Sequence, residues 1–230
     1  PAANASIYDP STGTTTIQSG SSIPTAANGR GGFALKRPDG KFLVVLGNFT
    51  ATTNIYDPIS NTFTVGPSLS GNAGMGASAI LNTDGTYTIV HGASSVQVAQ
   101  TTSSIYNPVR NTVGTMQAGP TLTTGANCSF TAIPLKNGMY KILPGVADGT
   151  TGSATTMNYN PTSKQFTAGT ALTTTLAGCG AFVFQRQDGF WQIIGGATTG
   201  GGAQTSTNLI NPYSGVSSIG APFTTSPAGK

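Results

Sequence analysis

The stretch that decides the fold is NIYDPISNTFTVGP, residues 54–67. By itself it reads as a strand ending at Tyr56, a turn capped by Asp57 with φ fixed by Pro58, and a second strand leaving on an alternating pattern. Nearly the same phrase occurs as SIYDPSTGTTTIQSG from Ser6, SIYNPVRNTVGTMQAGP from Ser104, NYNPTSKQFTAGT from Asn158 and LINPYSGVSSIGAP from Leu209. The prolines of the five copies, Pro10, Pro58, Pro108, Pro161 and Pro212, are separated by 48, 50, 53 and 51 residues. A period near 50 marks a repeated supersecondary unit.

Upstream of four of these phrases lies a second pattern: an apolar run, Asp-Gly or Asn-Gly, and another apolar run ending in glycine. The copies are FALKRPDGKFLVVLGN from Phe33, SAILNTDGTYTIVHGA from Ser78, SFTAIPLKNGMYKILPGV from Ser129 and AFVFQRQDGFWQIIGGA from Ala181. Asp-Gly between apolar runs predicts a hairpin with a type I′ turn. Each unit is therefore expected to hold four short antiparallel strands, a-b-c-d, in two hairpins. Such units bury their faces against one another as the blades of a propeller.

The chain resembles the kelch-type β-propellers. The resemblance rests on Gly195-Gly196 closing strand b, with Leu46-Gly47, His91-Gly92 and Pro144-Gly145 at the equivalent places, on the Tyr-Asp/Asn-Pro of strand c, and on Phe63 and Phe166 in strand d. It spans essentially the whole chain and implies an all-β propeller of four-stranded blades. The units run approximately over residues 5–18 (c-d only), 30–67, 75–119, 126–169 and 178–223, giving four complete blades and one half. Three accounts of the half blade are open. The chain is a segment of a larger propeller, or the N-terminal pair completes the blade of residues 178–196, or a neighbouring subunit supplies the missing strands across an open edge. A chain beginning at Pro1 suits a processed product or a segment of a longer protein.

Composition narrows the function classes. The chain is 37% hydrophobic but only 7% charged, against roughly 25% in ordinary soluble proteins. Its net charge of +4 comes without any run of Lys or Arg, so no basic stripe for nucleic acid is present. No apolar run is long enough to insert across a membrane as a helix. Glutamate is absent, and five of the six aspartates have turn duties: Asp39, Asp84 and Asp188 in a-b turns, Asp9 and Asp57 in c-d turns. That leaves Asp148, a weak calcium candidate in a loop, and no pair of carboxylates for acid–base work.

His91 is the sole histidine, and it replaces a glycine at the end of strand b, so a structural role is expected. Kelch-type propellers include copper radical oxidases, whose site uses two histidines with tyrosines and a cysteine; one histidine does not supply that pair. Cys128 and Cys179 each lie nine residues before the turn residues Asn137 and Asp188, which puts them at one point on strand a of consecutive blades. They are candidates for a disulfide, or for two small buried residues. Asn4, Asn48 and Asn127 head glycosylation sequons. No metal or other cofactor is expected.

The charges sort by face. Antiparallel connectivity places a-b and c-d turns on one side and b-c and d-a loops on the other, and nearly all charges flank the turns. The loop side, with only Arg30 and Asp148 charged, is a neutral Ser/Thr/Gly surface with candidate contact residues Asn48, Thr50, Thr52, Thr53, Ser94, Ser95, Thr101, Thr102, Thr198, Thr199, Gln204 and Thr205. Low charge reduces repulsion between copies. The expectation is a non-enzymatic propeller in an extracellular, cell-surface or particle-surface setting, assembling with itself or related subunits. The alternative is a module that recognises a neutral glycan or a protein.

Overall fold

A computed structural model describes residues 6–17, 31–95, 98–128, 130–145, 153–174, 181–195 and 205–222. Asn4, Asp148, Cys179, Thr198, Thr199 and Gln204 lie outside the described residues. The all-β expectation holds: the described residues form antiparallel sheets without a helix, and no helix is long and apolar enough to cross a membrane.

The chain opens with a two-stranded hairpin, β1 (Ser6–Asp9) and β2 (Thr14–Ile17). The first sheet is β3 (Phe33–Lys36), β4 (Phe42–Val45), β5 (Thr53–Asp57) and β6 (Thr62–Val65), paired in chain order. The second contains β7 (Ser78–Leu81), β8 (Tyr87–Val90), β11 (Ser103–Tyr106) and β12 (Gln117–Ala118). Its b-c connection, read from sequence as loop, carries an extra short hairpin, β9 (Ala93–Ser95) with β10 (Val98–Ala99). The third sheet is β13 (Thr131–Pro134), β14 (Tyr140–Leu143), β15 (Met157–Asn160) and β16 (Gln165–Ala168). The fourth is β17 (Phe182–Gln185), β18 (Trp191–Ile194), β19 (Thr207–Ile210) and β20 (Ser217–Ile219).

The turns show why the repeated acids are where they are. In the first a-b turn, the Arg37 N–H bonds the Lys41 carbonyl at 2.8 Å, and the Gly40 N–H bonds the Arg37 carbonyl at 3.1 Å. Only Gly40 has positive φ, at 81°. This is a type I turn closed by a left-handed glycine, a one-residue bulge, rather than the type I′ turn expected. The negative φ of the residue before each glycine suits Asp or Asn, whose side chain accepts the N–H two residues on: Lys41 to Asp39 at 3.2 Å, Thr86 to Asp84 at 3.1 Å, Met139 to Asn137 at 3.0 Å and Phe190 to Asp188 at 3.1 Å. In the c-d turns, Asp9, Asp57, Asn107, Asn160 and Asn211 accept the N–H of the residue after proline.

Alternation puts one apolar row on each face, and consecutive sheets share these rows. Leu43, Val45 and Ile55 meet Ile89, Tyr106 and Met116 between the first and second sheets. Ile80 and Val90 meet Ile142, Met157 and Tyr159 between the second and third. Ile133 and Leu143 meet Ile193 and Ile210 between the third and fourth. Each d-a linker adds one buried leucine: Leu69, Leu122 and Leu172. A side chain of that size contributes about 1.5–3 kcal/mol when fully buried.

Candidate contact face

The b-c and d-a segments of each unit lie together because they are tied by backbone hydrogen bonds. Leu69 N–H bonds Ala51 O at 2.8 Å, Leu122 N–H bonds Thr101 O at 2.8 Å, and Leu172 N–H bonds Ala154 O at 2.8 Å. Further ties join Thr50 to Ala73 and Gln100 to Ala126.

A second tie recurs in every sheet. In each four-stranded sheet a residue at the start of strand c, or just before it in the third, carries a buried hydroxyl that donates to the carbonyl just after the d strand: Thr53 to Pro67 O at 2.7 Å, Ser103 to Pro120 O at 2.6 Å, Thr156 to Thr170 O at 2.7 Å and Thr207 to Ala221 O at 2.9 Å. Beside each hydroxyl sits a glycine, Gly66, Gly119, Gly169 or Gly220, where a Cβ would strike the hydroxyl oxygen. The sequence reading missed this lock. Its signal was the regular spacing of Ser/Thr and Gly within each unit.

The lock corrects one candidate. Thr53 was expected on the exposed face, but it is 0% exposed because its hydroxyl points inward to Pro67. Of the others, Ser95, Thr101, Thr102 and Thr205 are exposed, and Asn48, Thr50, Thr52 and Ser94 are half-buried. The Thr50 hydroxyl donates to Asn48 Oδ1 at 2.7 Å. Across the described residues of these segments there is no Asp, Glu, Lys or Arg.

Asn127 is also corrected: it is 0% exposed, so its amide offers no room for a sugar in the folded chain. Cys128 has no free thiol and is disulfide-bonded; Cys179, the other cysteine of the sequence, lies outside the described residues.

His91 is wholly buried, with Nδ1 2.9 Å from Thr102 Oγ1 and Nε2 2.7 Å from Ser104 Oγ. Ser104 Oγ also accepts the Ser70 N–H at 2.9 Å. The imidazole is thus a strut between strand b, strand c and the preceding linker. Burial pushes its pKa down to about 4, so it is neutral at pH 7. Lys141, which the sequence reading passed over, is 0% exposed and donates to Thr170 O at 2.9 Å and Thr170 Oγ1 at 3.1 Å. Burial lowers its pKa to about 8. Its signal was a lysine in strand b at the position that Leu43 and Thr88 fill elsewhere.

On the opposite side, four ion pairs form among the described residues. Arg37 bonds Asp39 at 3.0 Å and Lys164 bonds Asp84 at 2.6 Å. The Lys164 ammonium is the main cause holding Asp84 down to a pKa of about 2.

No protein-family model matches the chain, and no curated protein matches it in sequence. Solved structures do match in fold. One is a fungal alcohol oxidase of the AA5 family in complex with copper, at 14% identity and a TM-score of 0.53, covering 97% of this chain and 59% of that one. Another is YjhT, at 12% identity and a TM-score of 0.55, covering 88% of this chain and 67% of that one. The chain therefore spans about three fifths of the length of the oxidase it resembles. At these identities the likenesses show the fold alone, an all-β fold of antiparallel four-stranded sheets of the kind these two proteins have.

They also correct the expectation of a non-enzymatic protein: the fold is one on which a copper alcohol oxidase is built. Missing catalytic motifs do not exclude a chain from a fold that carries catalysis. The copper itself does not fit the described residues. The chain's one histidine has both ring nitrogens engaged by hydroxyls, and no three His, Cys, Asp or Glu side chains gather among the described residues.

Proposed function

We propose that the chain is a kelch-type propeller unit of an extracellular or particle-surface assembly, docking copies of itself or related subunits through the face made by its b-c and d-a segments. The observation that carries this reading is the complete lack of Asp, Glu, Lys and Arg among the described residues of that face, while ion pairs occupy the other side. Repeated backbone ties and hydroxyl locks hold the face in shape before contact, which lowers the ordering cost of association. Without charge, little desolvation penalty opposes close packing against a like surface.

Sedimentation tests the reading. The wild-type chain is expected to self-associate as concentration rises, and Ser95→Arg with Thr101→Arg, both exposed, to remove the part of that association made through this face. A wild type that stays monomeric at high concentration contradicts the proposal. Binding of that monomer to a neutral glycan, lost in the same variant, would assign the face to recognition instead.

A further inference from the structure

At each junction between consecutive sheets, the a-b turn of the leading sheet clasps strand c or the c-d turn of the following one. Arg37 Nη1 donates to Tyr106 OH at 3.1 Å. At the next junction Tyr159 OH donates to Asn82 Oδ1 at 2.6 Å, and Lys164 pairs with Asp84. At the third, the Lys136 N–H bonds Pro212 O at 2.8 Å.

In the fourth sheet this clasp has no partner from another sheet among the described residues. Arg186 pairs with Asp188 at 2.9 Å just as Arg37 pairs with Asp39 at 3.0 Å, yet the Arg186 side chain is 39% exposed where that of Arg37 is 7% exposed. Tyr106 belongs to the same buried cluster as Leu43 and Ile55, and Leu35 packs against that cluster. The strand registers place Phe184, Gln192 and Leu209 at the same positions in the fourth sheet. Phe184, Arg186 and Asp188 line an open hollow of about 520 Å³.

The opposite end of the described chain has the complementary part. The hairpin β1–β2 is a c-d pair, and its strand-c tyrosine, Tyr8, is 62% exposed, while Tyr106 and Tyr159 are 0% exposed. Among the described residues β1 pairs with β2 alone, so the edge that strand b occupies in every full sheet is open. Within one chain neither part covers the other fully: Tyr8 is 62% and Phe184 36% exposed.

We infer that the β1–β2 hairpin of one copy docks on the outer face of the fourth sheet of a second copy, seating Tyr8 in the hollow beside Phe184 with Arg186 donating to its hydroxyl. The contact is head-to-tail, and it extends the sheet-to-sheet stacking already present three times in the chain. A heterologous contact of this kind builds rings or filaments. It uses the outer face of the fourth sheet and does not depend on the uncharged b-c and d-a face.

A photo-crosslinking residue at position 8 tests it, in an equal mixture of isotopically light and heavy chains. Mixed light–heavy crosslinks to the 182–188 segment are expected, lost at least tenfold in Arg186→Glu and retained in Ser95→Arg/Thr101→Arg. The retained arm separates this contact from the uncharged face, because that variant abolishes only the latter. Phe184→Asp, an exposed change on a formed sheet, gives a second loss should Arg186→Glu misfold. Crosslinks only within one chain, or to any other segment, or none, overturn the inference.

Discussion

The two sides of this molecule are polar by different means. The turn side carries charges locked in pairs, such as Lys164 with Asp84 at 2.6 Å and Lys41 with Asp57 at 3.1 Å. The described residues of the loop side carry none, and some of its hydroxyls are spent inward: Thr53, Ser103, Thr156 and Thr207 hold linkers in place. Exposed ion pairs are worth little to stability, commonly about 0–1 kcal/mol. Buried hydroxyls on carbonyls are worth about as much each, but removing their geometry strands polar groups in the interior. The stability of the fold is therefore expected to be sensitive on the loop side and tolerant on the turn side.

Glycine substitutions break this contrast most sharply. Gly169→Ala drives a methyl group into the Thr156 hydroxyl and nearby backbone, and is expected to cost about 2–3 kcal/mol in urea denaturation. Gly40→Ala meets no atom within 4 Å and pays only for its φ of 81°, about 1 kcal/mol. Equal losses at the two sites would remove the distinction between the sides.

Acid sharpens it next. His91 on the loop side has a folded pKa of about 4 against 6.5 ordinarily. The unfolded chain therefore binds the extra proton first, and stability present above pH 6.5 is lost as pH falls toward 4, by roughly 3 kcal/mol. On the turn side Asp84, held at about 2 against 3.8, keeps its contribution above pH 3.8 and loses it as pH falls toward 2. Thermal melts at stepped pH are expected to show the first loss in the wild type and not in His91→Gln. A drop between pH 6.5 and 4 that survives in His91→Gln would refute the assignment.

How much of this was legible in the sequence differs by side. The turns could be read, because Asp9, Asp57, Asn137 and Asp188 satisfy neighbouring N–H groups within two residues, a local requirement that leaves a local pattern. The turn type was misread, since one left-handed residue, not two, closes each a-b hairpin. The loop side was less legible. Thr53 looks like any threonine in GNFTATTN, and only its partner Pro67, fourteen residues on, reveals that it is buried. Asn127 reads as a sugar acceptor until the packing of the third unit encloses it. The exclusion of catalysis failed for another reason: motifs report sites, whereas the likeness to an oxidase lies in backbone shape, at 14% identity.

Lys141 gives the smallest expected effect. It has no carboxylate partner and donates to Thr170 alone, so replacing it with an apolar side chain of similar length removes a desolvation cost. Lys141→Met is expected to stabilise the chain by about 1–2 kcal/mol at pH 7. With a folded pKa of about 8 against 10.5, the wild type regains stability as pH rises between those values, and the variant's advantage shrinks over the same window. An advantage independent of pH would show that the ammonium is not the source of the cost.

The central claim is that the uncharged b-c and d-a face is where subunits meet. Cryo-electron microscopy of the assembled protein tests it most directly. The account predicts Ser95, Thr101 and Thr205 enclosed at subunit contacts, with the Lys164–Asp84 and Lys41–Asp57 pairs of the turn side facing solvent. Assemblies in which these three residues face solvent and Lys164, Asp84 and Lys41 form the contacts would contradict it, as would a preparation that contains only monomers.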